Sequence, residues 1–310
     1  PPGDSVYRGG YETISCNAVG KNIITVGAVK DAVTGGLRDL NQAGMTTFSS
    51  WGPTDDGRIK PDIVANGYAL VSAASGSDAS YTIISGTSMA APNAAGTAIQ
   101  LHSYYNALNN GRHMRAATLK GLLIHTADDL GTPGPDYQFG WGLINAKTAA
   151  DLIAKAATNT AALTMVESSV TSGDHTQNWY FHWDRSSPIR ATLSWTDPRR
   201  EAIAEHDSRL PPLVNAVNLK IITPRGKQLL PYVMPFVGNW SLASMSHPAT
   251  NGINHTDNVE QVYLANPTTA GRYRAVVSVS GTLIHDLQQY SLWISGSKPP
   301  PHPPTVIIIR

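Results

Sequence analysis

Cysteine is nearly absent from this 310-residue chain, where Cys16 stands alone. One thiol makes neither an intrachain disulfide nor a cysteine-ligated zinc site. Its expected role is that of a small buried hydrophobe. An excess of charge of one sign is missing too. Lys+Arg number 23 and Asp+Glu 22, so no basic surplus exists to form a nucleic-acid surface. No run is apolar enough to span a membrane. The one long uncharged stretch, 88–108, holds Pro92, Asn93, Gln100 and His102 and is rich in alanine. It reads as a buried helix. The opening residues Pro1-Pro2-Gly3-Asp4-Ser5 show neither the basic nor the apolar region of a signal peptide. Histidine is absent from the first 87 residues.

What remains is a globular balance, 41% hydrophobic and 15% charged, at a length that favours about two domains. The texture changes near residue 157. Before it, short β-branched runs at 21–29, 61–65 and 69–73 read as strands, the first of them as a buried strand of a parallel sheet. Helical patterns follow at 88–108, 118–127 and 145–157, the last amphipathic. Strands followed by helices predict an α/β domain over 1–156. After 157, period-two segments at 179–183, 190–195, 218–222, 261–264, 273–279 and 290–294 alternate with Gly, Pro, Asn and Asp clusters. They predict an antiparallel β-sandwich over 157–297. Residues 298–310 are a proline-rich tail or linker.

The chemistry concentrates at Gly86-Thr87-Ser88-Met89-Ala90-Ala91-Pro92. A serine acts as nucleophile when a base takes its proton and donors hold the oxyanion that forms. Ser88 opens the uncharged helix, where backbone N–H groups lack intrahelical partners. Pro92 falls near the first turn, where a missing N–H costs little. The Gly-x-Ser-x-Gly elbow of the α/β-hydrolases is absent, because Ala90 stands two residues after the serine.

This heptapeptide resembles the nucleophile signature of the subtilisin-like serine proteases, the subtilase family. Three further motifs accompany it in family order. Ile24-Thr25-Val26-Gly27-Ala28-Val29 resembles the upstream strand. The run from Phe48 through Trp51-Gly52-Pro53 and Lys60-Pro61-Asp62-Ile63-Val64-Ala65 resembles the segment that follows. Gly140-Trp141-Gly142-Leu143-Ile144-Asn145-Ala146 resembles the closing segment. Leu213-Val214-Asn215-Ala216-Val217-Asn218-Leu219 and Asp257-Asn258-Val259-Glu260 resemble the jelly-roll domain appended to alkaline subtilases of the KP-43 type. That pattern has aspartates where Ala216 and Asn218 stand, so a structural calcium ion is left without specific ligands.

The resemblance implies a secreted endopeptidase that needs no cofactor for its chemistry. It would hydrolyse polypeptides through an acyl-enzyme on Ser88, with Thr87 assisting the oxyanion. The family's triad aspartate and histidine and its oxyanion asparagine lie in upstream segments that these residues do not match. The expectation is a C-terminal portion whose partner is the N-terminal part of the same protease. His102 and His125 follow Ser88 in helices, and His102 lies roughly 20 Å along from it. His113, His175, His182, His206, His247, His255, His285 and His302 lack matching context, and Asp55, Asp56 and Asp62 read as structural. The alternatives are an inactive subtilase-like protein, or a binding module using Trp179, Trp183, Trp195, Trp240 and Trp293. The tryptophans are expected in the sandwich core. Asn239-Trp240-Ser241 and Asn254-His255-Thr256 are glycosylation sequons.

Overall fold

The structure is a computed structural model that describes residues 8–201, 208–235 and 241–300. Trp240, the Asn239 sequon, His206, His302 and the tail beyond residue 300 lie outside the described residues.

The first half runs through β1 (Val26–Val29), a small hairpin of β2 (Val33–Thr34) and β3 (Leu37–Arg38), and β4 (Ile63–Asn66). A second hairpin, β5 (Leu70–Ala73) and β6 (Tyr81–Ile84), leads into α1 (Thr87–Leu108). The helices α2 (Ala116–Thr126) and α3 (Ala146–Thr158) complete it. The predicted strands and helices are all present. The strand at 81–84 was not legible, because its residues are exposed and it pairs only with β5.

β1 and β4 are parallel and in register from Val26↔Ile63 to Val29↔Asn66. Leu143 extends the sheet through a parallel bridge to Val64. Buried Ala28, Ile63, Val64 and Ala65 form its apolar centre. A parallel sheet of this kind needs cover on both faces. Helix α1 covers one face with a narrow stripe: Ala90, Ala94, Leu101 and Tyr105 are buried. That corrects the expectation of a helix buried on all sides. Ala91, Asn93, Ala95 and Ile99 are exposed, Ile99 at 70%. The alanines keep the helix uncharged, but among the described residues nothing packs on that side. Pro92 is the sixth helical residue rather than a first-turn one, so its missing N–H leaves the Ser88 carbonyl without an i+4 donor.

The second half contains β7 (Met165–Thr171), β8 (Thr176–Trp183), β9 (Ile189–Ser194), β10 (Val217–Ile222), β11 (Gln228–Leu229) and β12 (Tyr232–Val233). After the helical turn α4 (Leu242–Met245) come β13 (Thr250–Asn251), β14 (Val259–Leu264), β15 (Arg272–Val279), β16 (Leu287–Ser295) and β17 (Ser297–Lys298). Two antiparallel sheets result, ordered β11-β10-β15-β8-β17 and β14-β9-β16-β7. Val170, Phe181, Leu193, Leu219, Tyr273, Val277 and Leu292 pack between them as one core.

Helix α2 joins the halves, with Lys120 to Thr126 all buried. Its outer side rests on β9 and β16. Gly121 makes the approach possible, since a Cβ there would stand 2.4 Å from Ser194 Oγ. Ser194 Oγ donates to the Ala117 carbonyl at 2.8 Å, and Trp293 Nε1 to the Thr118 carbonyl at 2.9 Å. His125 sits between Thr192 Oγ1 at 2.9 Å and Ser295 Oγ at 2.5 Å.

Three sequence expectations meet different surroundings. Cys16 is exposed, not buried, because it lies on a short surface turn, Cys16–Ala18. Asn254 is buried and donates to Asp257 Oδ2, so its sequon is enclosed. Trp195 and Trp293 are buried as expected. Half-buried Trp179 and Trp183 bind their indole N–H groups internally, to Tyr290 OH at 2.8 Å and the Ser187 carbonyl at 2.7 Å.

Candidate functional site

Ser88 is the second residue of α1 and is exposed to solvent. The chain reaches it from β6 through Ser85 and Gly86. Two contacts fix that corner. The Gly86 N–H donates to the Gly67 carbonyl at 2.8 Å, and the Ala69 N–H to Ser85 Oγ at 2.8 Å. Gly67 permits the close approach, for a Cβ there would lie 2.7 Å from the Gly86 oxygen and 2.8 Å from Ala28 Cβ. The corner is thus pinned to β1 and β4.

At the helix start, the Met89 and Ala90 N–H groups donate to the Gly86 carbonyl at 3.0 and 3.2 Å. Thr87 and Ser88 precede them, so their N–H groups stand ahead of the first intrahelical bonds. No charged side chain occupies the first turn. The local field is the positive end of the helix dipole, beside an exposed hydroxyl. The arrangement suits a nucleophile with its own oxyanion donor.

No described histidine or carboxylate hydrogen-bonds to Ser88. His102 lies far along α1 and stacks with His113, Nε2 to Nδ1 at 3.1 Å. His125 is buried within α2, and burial, then the neighbouring Arg190, holds its pKa well below 6.5. Asp56 makes a bidentate pair with Arg58 at 2.8 and 2.9 Å. Thr87 and Ser88 are adjacent, as their chain positions require, and no triad partner joins them.

Asp62 has a structural role of unexpected extent. It is buried on β4's approach and accepts from Lys60 Nζ at 2.5 Å, Lys120 Nζ at 2.9 Å and the Thr25 N–H at 2.7 Å. Burial alone would raise its pKa, but Lys120 and Lys60 outweigh that and hold it below the usual carboxylate range. Burial pulls Lys60 down to about 8 against the attraction of Asp62. Lys120 also donates to the carbonyls of Lys21 and Ile23 at 2.9 and 3.1 Å. The sequence predicted a helix over 118–127, and nothing in that pattern announced a buried lysine bonded to Asp62 beside β4.

Of the residues compared with the calcium-bearing pattern, Asn218 Nδ2 donates to Ser280 Oγ at 3.0 Å, and Asn215 Nδ2 to Gln288 Oε1 at 3.0 Å. These amides serve the sheets. Among the described residues, no group of three or more His, Cys, Asp or Glu side chains is placed to hold a metal ion. No described helix is long and apolar enough to cross a membrane.

Residues 4–142 match the profile of the Subtilase family. The serine protease AprX of Bacillus subtilis (strain 168) is 32% identical over 148 residues, which is 44% of this chain and 31% of that protein. The serine protease/ABC transporter B family protein tagA of Dictyostelium discoideum is 29% identical over 209 residues, 56% of this chain and 11% of that protein. The chain thus spans less than a third of either relative. The CspB protease of Clostridium perfringens, a solved structure, is 27% identical with a TM-score of 0.39, over 46% of this chain and 29% of that one.

Proposed function

We propose, from the premise that residues 4–142 belong to the subtilase family, that the protein is a serine endopeptidase acting through an acyl-enzyme on Ser88. The observation that carries this reading is the exposed Ser88 hydroxyl on the N-terminal turn of α1, with unpaired N–H groups beside it.

In the proposed reaction, Ser88 Oγ attacks the scissile carbonyl and a histidine takes its proton. The oxyanion receives the Ser88 N–H and the Thr87 hydroxyl. Collapse expels the amine, which takes the proton from the histidine. A water molecule, activated by the same base, then releases the acid and restores Ser88. The histidine, its orienting aspartate and the oxyanion asparagine come from the N-terminal part of the same protease. Two features support that assignment. No described base bonds to Ser88, and among the described residues nothing covers Ala91, Ala95 and Ile99 on the outer face of α1. The sheets of the second half act as a stabilising platform, docked through α2, in a secreted enzyme of polypeptide substrates. A structural calcium ion is not part of this chemistry.

A fluorophosphonate probe tests the reading, since it labels a serine only when a base activates it. The chain alone should label no faster than its Ser88→Ala variant. Chain mixed with the N-terminal part should label at Ser88 and cleave casein. Absence of labelling in both conditions would establish a non-catalytic subtilase-like protein.

A further inference from the structure

A cavity of about 550 Å³ lies far from Ser88 in sequence and belongs to the junction of the two halves. Its wall is a sheet rung. Arg272 of β15 pairs in register with His182 of β8, and His182 pairs with Lys298 of β17. Directly opposed residues point to the same face with Cβ atoms about 4.5–5.5 Å apart. Three basic side chains therefore stand side by side across three adjacent strands. Among the described residues, no carboxylate forms an ion pair with any of them. No acidic residue lines the cavity. Like charges opposed in this way cost stability unless something between them compensates.

Two structural features could offer that compensation, the C-terminal ends of α1 at Asn109 and of α3 at Ala156, both on the rim. Each helix end carries roughly half a negative charge. Together they balance about one cation, while Arg272 and Lys298 bring two. A positive surplus remains.

One residue of the wall keeps an unsatisfied hydroxyl buried behind it. That residue, Thr164, is 1% exposed, and its hydroxyl has no hydrogen-bond partner. Its backbone is fixed, because its carbonyl accepts the Ile294 N–H at 2.8 Å. That hydroxyl is closed to solvent, so the two cations Arg272 and Lys298 are the groups that face an incoming acceptor. The remaining wall mixes Asn109 and Thr160 with apolar residues such as Ala162, Leu163 and Met165. Tyr180, on the same face of β8 as His182, is 49% exposed and carries the Arg272 guanidinium 4.5 Å from its ring centroid. Stacked in this way, the guanidinium keeps its N–H edge available for a bidentate anion.

We propose that this cavity binds a carboxylate-bearing peptide segment. Arg272 and Lys298 take the carboxylate, and the Tyr180 ring receives an apolar neighbour of the acidic residue. The volume lies within the range of small-ligand sites. The mixed basic and aromatic wall selects an acidic peptide over a free inorganic anion, which would use only the basic part. The site works whether or not Ser88 is catalytic.

Fluorescence anisotropy on the whole chain tests it, in a Ser88→Ala background so that hydrolysis cannot interfere. The probe is a fluorescein-labelled peptide with a phenylalanine between two glutamates, and its control has glutamines instead. The glutamate peptide should bind saturably and weaken as salt rises. Arg272→Gln and Lys298→Gln should each weaken it about tenfold or more, with unfolding midpoints like the parent's. Arg272→Lys keeps the charge but loses the fork and should fall between. Tyr180→Leu should weaken the peptide while leaving inorganic phosphate unaffected. Equal binding of the glutamine peptide would overturn the proposal. So would an Arg272→Gln variant that binds normally, or phosphate displacing the peptide at the peptide's own Kd. A parent that binds no peptide, with Arg272→Gln lowering the midpoint, would show that the cations serve only the helix ends.

Discussion

Helices α1 and α2 look alike in sequence and end in opposite situations. Both are apolar and nearly free of charge. In α1, four buried residues form one stripe, and Ala91, Asn93, Ala95, Ile99 and Gln100 face outward. In α2, seven consecutive residues from Lys120 to Thr126 are buried, because β9 and β16 pack along the helix and Lys120 is tied to Asp62 beside β4. The difference teaches that apolar composition reports what a helix tolerates, and that the neighbouring layer decides whether it is buried. It also sorts polar groups. On α2, Lys120, Thr118 and His125 all have partners, because burial without them is costly. On α1, Gln100 and Asn93 need only water.

The contrast can be broken most strongly at Asp62. In Asp62→Ala, the buried ammonium groups of Lys60 and Lys120 lose their carboxylate. A loss of about 3–5 kcal/mol is expected in urea unfolding. A loss below about 1 kcal/mol would mean that α2 is not held by this network. Gly121→Ala comes next. Its Cβ would press on Ser194 Oγ, and overpacking of this kind costs about 1–3 kcal/mol.

Acid should separate the two helices further. His125 is neutral in the fold, its pKa held well below 6.5 by burial and then by Arg190. The unfolded chain gains that proton as pH falls through 6.5, and the fold does not. Stability is therefore complete above 6.5 and falls below it, by up to about 1.4 kcal/mol per pH unit. His125→Gln should flatten that slope in denaturation curves taken between pH 7 and 5. On α1 the same kind of glycine replacement changes sign. Gly96→Ala meets no atom within 4 Å and should stabilise by about 0.5–1 kcal/mol through helix propensity. Smallest of all, Ile99→Lys on the bare face should shift the chain's stability by less than about 0.5 kcal/mol. If the N-terminal part covers this face, the same variant should sharply reduce complementation in the fluorophosphonate assay, and unimpaired complementation would place the contact elsewhere.

Much of the fold and of the candidate site was legible beforehand. Short apolar, β-branched runs located β1 and β4, and helical patterns located the three long helices: an uncharged run for α1 and an amphipathic one for α3. The position of Ser88 at a helix start followed from Gly86 and the uncharged run after it. Gly67 was silent, since a glycine required by the approach of Gly86 and Ala28 from elsewhere in the chain leaves no local pattern. The hairpin strand β6 was silent for the opposite reason, being exposed and held by backbone bonds that any side chain permits.

By itself, the sequence determined the local conformations, the α/β and antiparallel textures of the two halves, and the subtilase-like motif around Ser88. Only the tertiary structure decided which helix is covered, that Asp62 joins β4 to α2 through two lysines, and that Arg272, His182 and Lys298 share one rung. Those facts depend on contacts between residues far apart in the chain, and a local pattern carries no record of what will lie across from it.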